Sequence, residues 1–184
     1  GCVIEFVLLS IPSLIYALVK RGKTSDWRRA LALVWPTARG WGLGILAAVV
    51  GAGLGWLALR GVPPEVMTAQ GTTGAITSVV GGLMVALRAV GEEVFFRGFL
   101  QGLAERRWGA VAGVVIQAVV FTLPHLALLT VNMALAPLVV TQAVTGVILG
   151  WVRLRTGSIA PTSLAHVIVN LASGLAMAAG VAVA

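Results

Sequence analysis

The chain has 184 residues, of which 59% are hydrophobic and only 10% charged, and its mean hydropathy is +1.00. A soluble domain carries roughly a quarter charged residues, so the composition excludes a soluble globular fold and points to a polytopic membrane protein. The net charge of +7 does not indicate nucleic acid, because Lys and Arg fall in short clusters between apolar runs rather than along one polar face.

The first apolar run, residues 2–19, is long enough to span, since about 20 such residues cross a bilayer. It holds Cys2, the sole cysteine, which excludes an intrachain disulfide and a cysteine-based zinc site and is expected to be buried and inert. The chain begins at Gly1 rather than Met, so the signal-peptide test does not apply cleanly and a further helix upstream is allowed for. Residues 20–39 then bring Lys20, Arg21, Lys23, Arg28, Arg29 and Arg39 against one acid, Asp26, which by the positive-inside rule marks the cytoplasmic face. Within them Trp27, Leu31, Val34 and Trp35 recur at helical spacing opposite Arg29, with Asp26 or Ser25 as N-cap. This predicts a short helix on the inner surface, with partner docking as its functional alternative.

Further runs at 41–59, 75–104, 110–129, 133–152 and 159–183 bring the expected spans to six. The fold expected is all-α, a polytopic transmembrane bundle of about six helices plus the interfacial one, in a single membrane-embedded domain over 1–184. Alternation puts Arg106 with Arg107, and Arg153 with Arg155, on the inner side with the first cluster, and leaves only Arg60 outside. Both chain ends are then outside. Trp41, Trp56, Trp108 and Trp151 each fall near a proposed helix end, where an amphipathic ring is most comfortable. The spacings Gly51-x-x-x-Gly55, Gly98-x-x-x-Gly102 and Gly146-x-x-x-Gly150 suggest close helix packing without implying a dimer.

The third run contains Glu92-Glu93-Val94-Phe95-Phe96-Arg97. A charge near the bilayer centre costs several kcal/mol even on lenient scales, about 3 kcal/mol, so three together demand partners, water or a function. Glu93 and Arg97 are four apart and pair on one helix face, whereas Glu92 projects about 100° away and is free to face another cavity. Arg88, four residues before Glu92, offers a competing structural role in which both glutamates are only neutralised. The two histidines, His125 and His166, also stand inside apolar runs, and Asn170 shares a helix face with His166.

Depth unites these groups. At 1.5 Å per residue, Glu92 lies roughly 21 Å from Arg106, His125 roughly 27 Å from Arg107 and His166 roughly 16 Å from Arg155, so all three lie within the bilayer at broadly similar depth, with a real spread, and can converge in one polar pocket. Helix three would be about 45 Å long if straight, which requires tilt or a break near Gly81-Gly82 or Gly91. Pro124 should disturb helix four just before its histidine.

On these residues the chain resembles the CAAX prenyl endopeptidase and bacteriocin-processing (CPBP) family of intramembrane proteases. The family's Glu-Glu-x-x-x-Arg motif matches Glu92, Glu93 and Arg97, with Phe96 and Gly98 in its usual style; Phe-x-x-x-His matches Phe121 and His125; His-x-x-x-Asn matches His166 and Asn170. Residues 146–157, ending in Arg155-Thr156-Gly157 before Ser158, resemble the approach to the third motif. The resemblance covers roughly 75–175, the motif-bearing core, and no motif position departs from it. It implies an endopeptidase acting on a membrane-associated protein or peptide, prenylated or not, and an integral multi-pass protein of a bacterial cell membrane.

The groups present can fill the roles of amide hydrolysis. Glu92 serves as general base with His125 holding the water, His166 and Asn170 stabilise the oxyanion, and Glu93 with Arg97 fixes the motif helix. A variant gives Glu92, His125 and His166 to a divalent metal, zinc being the most plausible, since two imidazoles and a carboxylate form a recognised catalytic zinc set. The ligands are spread over three helices, unlike the compact His-Glu-x-x-His signal, and the resemblance supports both mechanisms. Two other classes stay open. One is a non-catalytic membrane binding or immunity protein; the other is a proton- or ion-coupled transporter, against which stands the lack of repeated broken helices in matching halves.

Overall fold

The computed structural model describes residues 2–20, 27–67 and 74–180. Among them every regular element is helical: α1 (Cys2–Lys20), α2 (Trp27–Ala30), α3 (Ala38–Arg60), α4 (Pro64–Met67), α5 (Val79–Glu93), α6 (Gln101–Trp108), α7 (Ala110–Thr122), α8 (Ala127–Val131), α9 (Ala136–Thr156) and α10 (Ala160–Ala178). A π-helical segment, Val94–Leu100, joins α5 to α6, and 3-10 turns at Leu123–Leu126 and Met133–Leu135 precede α8 and α9.

Among the described residues, five stretches are long and apolar enough to cross a membrane: Val3–Lys20, Ala38–Arg60, Ala110–Val131, Met133–Thr156 and Ala160–Ala178. The remaining expected run, 75–104, is helical without interruption over 79–108, but Arg88, Glu92, Glu93 and Arg97 lower its hydropathy. It begins four residues later than expected, because 74–77 form no regular structure and Ser78, the N-cap, is extended. There the Ile76 amide donates to the Gly174 carbonyl (2.9 Å) and Ser78 caps α5 by accepting from the Gly81 amide (3.0 Å). The helix does not break at Gly81-Gly82 or at Gly91; its irregularity is the π segment immediately after the glutamate pair. Pro124 acts as expected, tightening the chain into a 3-10 turn at His125.

Around this motif helix the spanning elements close a ring. It packs against α10, α10 against α3, α3 against α9, α9 against α7, and α7 back against α6 and the π segment, while α1 attaches outside, along α5 and the π segment. Small residues set these distances. A Cβ on Gly44 would lie 2.7 Å from the Pro161 carbonyl oxygen, and one on Gly51 2.7 Å from a Val169 methyl. Larger side chains on α3 would therefore push α10, and the His166 it carries, out of place.

The inner-surface helix is shorter than expected. One turn forms at α2, after which Ala32 takes φ 55° and the chain dives under the bundle, burying Leu31 and Ala32 almost completely. The Ile159 amide donates to the Ala32 carbonyl (3.0 Å), Ser158 Oγ donates to Val34 O (2.6 Å), and Arg106 Nη1 donates to Ala30 O (3.2 Å). Those contacts gather the basic connections at one end of the bundle, as charge alternation required. Trp35 stays 83% exposed, so the amphipathic pattern does not continue that far. The proposed caps Ser25 and Asp26, and the side chain of Cys2, lie outside the described residues.

Candidate active site

The motif helix, the 3-10 turn and α10 each deliver one motif to the same point. Glu93 and Arg97 are wholly buried and His166 is 1% exposed, so the charges have no access to water and must satisfy one another. Arg97 Nη1 donates to Glu93 Oε1 at 2.7 Å, and His166 Nδ1 donates to the same oxygen at 2.8 Å. The other ring nitrogen, His166 Nε2, stands 3.6 Å from Glu92 Oε2. His166 thus lies between the two adjacent glutamates, which helical rotation had separated and the α10 ring reunites.

Phe121 is the wedge of the site. Its ring is fully buried, carries the Arg97 guanidinium over its face at 4.4 Å, and meets the rings of Phe96 (5.1 Å), His125 (4.9 Å) and His166 (5.8 Å). Arg97 Nε and Nη2 are buried without hydrogen-bond partners among the described residues, so this cation–π contact and Glu93 together hold the guanidinium. Spacing alone gave Phe121 no role; membership in a three-motif set was its only signal.

The Phe121 carbonyl accepts from His125 Nδ1 at 2.8 Å. The N–H therefore sits on Nδ1, leaving Nε2 of the neutral ring as an acceptor. Two further side chains support the site. Thr162, one turn before His166, is buried beside Glu93, and Ser13 of α1 donates to the carbonyl of Val94, the first π-helical residue (3.1 Å).

Glu92 belongs to a different setting. Its side chain is 9% exposed and lines a cleft of about 290 Å³ with His125, Glu5, Arg88, Leu8, Leu9, Phe96 and Pro124. Arg88 Nε lies 2.9 Å from Glu92 Oε1 and 3.2 Å from Glu5 Oε2 of α1. The pairing of Arg88 with Glu92 anticipated from the sequence is therefore present, and α1 adds a carboxylate that no spacing rule revealed. With α1 6% buried along its spanning stretch and packed mainly along α5 and the π segment, the cleft lies at the periphery of the bundle.

Asn170 is half-buried one turn beyond His166, and its side chain makes no hydrogen bond among the described residues. The zinc set meets a geometric limit: among the described residues no three His, Cys, Asp or Glu side chains come together as a metal-holding group. One nitrogen of each imidazole is already engaged, and Arg88 holds one oxygen of Glu92. The Nε2 of each ring and Oε2 of Glu92 stay open, so these three residues would be the ones to hold an ion, each imidazole oriented by its Nδ1 contact.

The family described as "Rce1-like: Type II CAAX prenyl endopeptidase Rce1-like" matches residues 74–172, which contain every motif residue above. No curated protein and no solved structure matches the chain.

Proposed function

We propose, from the premise that the chain belongs to the Rce1-like family of type II CAAX prenyl endopeptidases, that it hydrolyses a peptide bond in a membrane-associated protein or peptide through water activated by Glu92. The observation that carries this reading is the position of His166, between Glu93 at 2.8 Å and Glu92 at 3.6 Å, beside a cleft that Glu92 shares with His125.

In the mechanism we infer, water sits between Glu92 Oε2 and the free Nε2 of His125. Glu92 takes its proton as the oxygen adds to the scissile carbonyl carbon, and the same proton passes to the leaving nitrogen as the C–N bond breaks. Because Nδ1 of His166 is committed to Glu93, the ring presents Nε2 to the oxyanion, with Glu92 and Glu93 on either side of it. Asn170, free to turn, supplies the second donor. Glu93 and Arg97 touch no reacting atom; they hold the orientation of His166. The apolar walls Leu8, Leu9, Phe96 and Pro124 suit a substrate presented from the bilayer, in a bacterial cell membrane on this reading.

The test is cleavage by the purified protein of membrane-anchored peptides with and without a prenylated cysteine. Cleavage of the prenylated form alone fixes the substrate class, cleavage of both broadens it, and cleavage of neither removes the reading.

A further inference from the structure

A second concavity, of about 380 Å³, lies away from the catalytic cleft and shares no residue with it. It is walled by Leu43, Leu46 and Val50 of α3, Val147 and Trp151 of α9, and Val114 of α7. At its basic end stand two arginines. Arg155, one turn beyond Trp151, lies over that indole at 5.1 Å, and Arg39 precedes Leu43 by one turn and shares its helix face. The start of α3 and the end of α9 meet there, since a Cβ on Gly40 would be 3.4 Å from a Thr156 methyl carbon. Both arginines are exposed, and among the described residues neither is in an ion pair with a carboxylate.

We propose that this groove is a binding site for an anionic phospholipid of the leaflet at the basic end of the bundle, with one acyl chain along the groove and the phosphate between Arg39 and Arg155. The chemistry of the wall selects the occupant. An extended peptide laid there would leave N–H and C=O groups unsatisfied against hydrocarbon, whereas an acyl chain has none to satisfy. At the mouth, guanidinium groups match phosphate oxygens in paired, charge-assisted hydrogen bonds, and basic pockets between spanning helices favour anionic head groups. The groove flanks the α3–α9 contact at the same end as the 27–36 segment, so an ordered lipid there would brace the connections packed under the bundle.

The full chain would be purified in micelles containing equal phosphatidylglycerol and phosphatidylcholine, and retained lipid counted by native mass spectrometry. Selective retention of phosphatidylglycerol is expected, falling roughly fivefold in each of Arg39→Gln and Arg155→Gln, with helix content unchanged. Phosphatidylglycerol brominated on its acyl chain should quench tryptophan fluorescence in wild type, less in Trp151→Phe, and not at the groove in Val147→Trp, which fills it. Equal retention of both lipids, or a preference surviving the double Arg39→Gln, Arg155→Gln change, overturns the proposal. So does a Val147→Trp protein that loses self-association while keeping its lipid, which would make the groove an interface between copies.

Discussion

Arg97 and His166 meet at one atom: Glu93 Oε1 accepts from the guanidinium at 2.7 Å and from the imidazole at 2.8 Å. Two motifs far apart in sequence are thereby tied by a single carboxylate, and Phe121 of the second motif lies against both donors. Removing one member of a buried ion pair costs about 3–5 kcal/mol because the other charge is left uncompensated. Glu93→Gln should therefore lower the thermal unfolding midpoint in detergent and also reduce cleavage per folded molecule. An unchanged midpoint would show that the buried guanidinium does not depend on this carboxylate.

The outer pair behaves differently. Glu5 and Arg88 are each 48% exposed at the side chain, and an exposed ion pair contributes about 0–1 kcal/mol. Glu5→Gln should leave stability and cleavage near wild type, whereas Arg88→Met, which also releases Glu92, should reduce cleavage at least fivefold with the fold intact. Equal behaviour of the two variants would remove Arg88 from the account of Glu92.

Much of this arrangement was legible in the sequence, and the reasons separate cleanly. Glu93 with Arg97, Arg88 with Glu92 and His166 with Asn170 are i,i+4 relationships, which helical geometry reveals without a structure. Helix existence followed from apolar run length, and Pro124 announced the irregular turn at His125. The π segment did not show, because nothing in Val94–Leu100 marks a widened turn, and its supporting hydroxyl, Ser13, lies 81 residues away. Glu5, the Phe121 wedge and the contact of His166 with Glu93 depend on which helices become neighbours. The tuck of Leu31 and Ala32 under the bundle was concealed by a helical period that the positive φ at Ala32 interrupts.

Topology gives an independent check. With the native Cys2 replaced by Ala, Lys23→Cys should react with an impermeant thiol reagent only after the cytoplasmic side is opened, and Arg60→Cys should react in intact cells. Labelling of Lys23→Cys from outside would invert the orientation.

Metal dependence separates the two chemistries considered for Glu92, His125 and His166. With no three-ligand group assembled among the described residues, the protein stripped by chelator is expected to keep its full cleavage rate, and His166→Gln to leave its metal content unchanged. Activity lost on chelation, restored by zinc, and accompanied by loss of bound metal in His125→Ala and His166→Gln would instead establish the zinc mechanism.

The central claim rests on the carboxylate of Glu92, and Glu92→Gln tests it most directly. The substitution preserves shape and hydrogen bonding while removing the base, so cleavage of the membrane peptide should fall by about 10² or more, with folded yield and thermal midpoint close to wild type. A Glu92→Gln protein that cleaves at the wild-type rate would contradict the account, because among the described residues no other carboxylate shares the cleft with His125 except Glu5 of the peripheral helix α1.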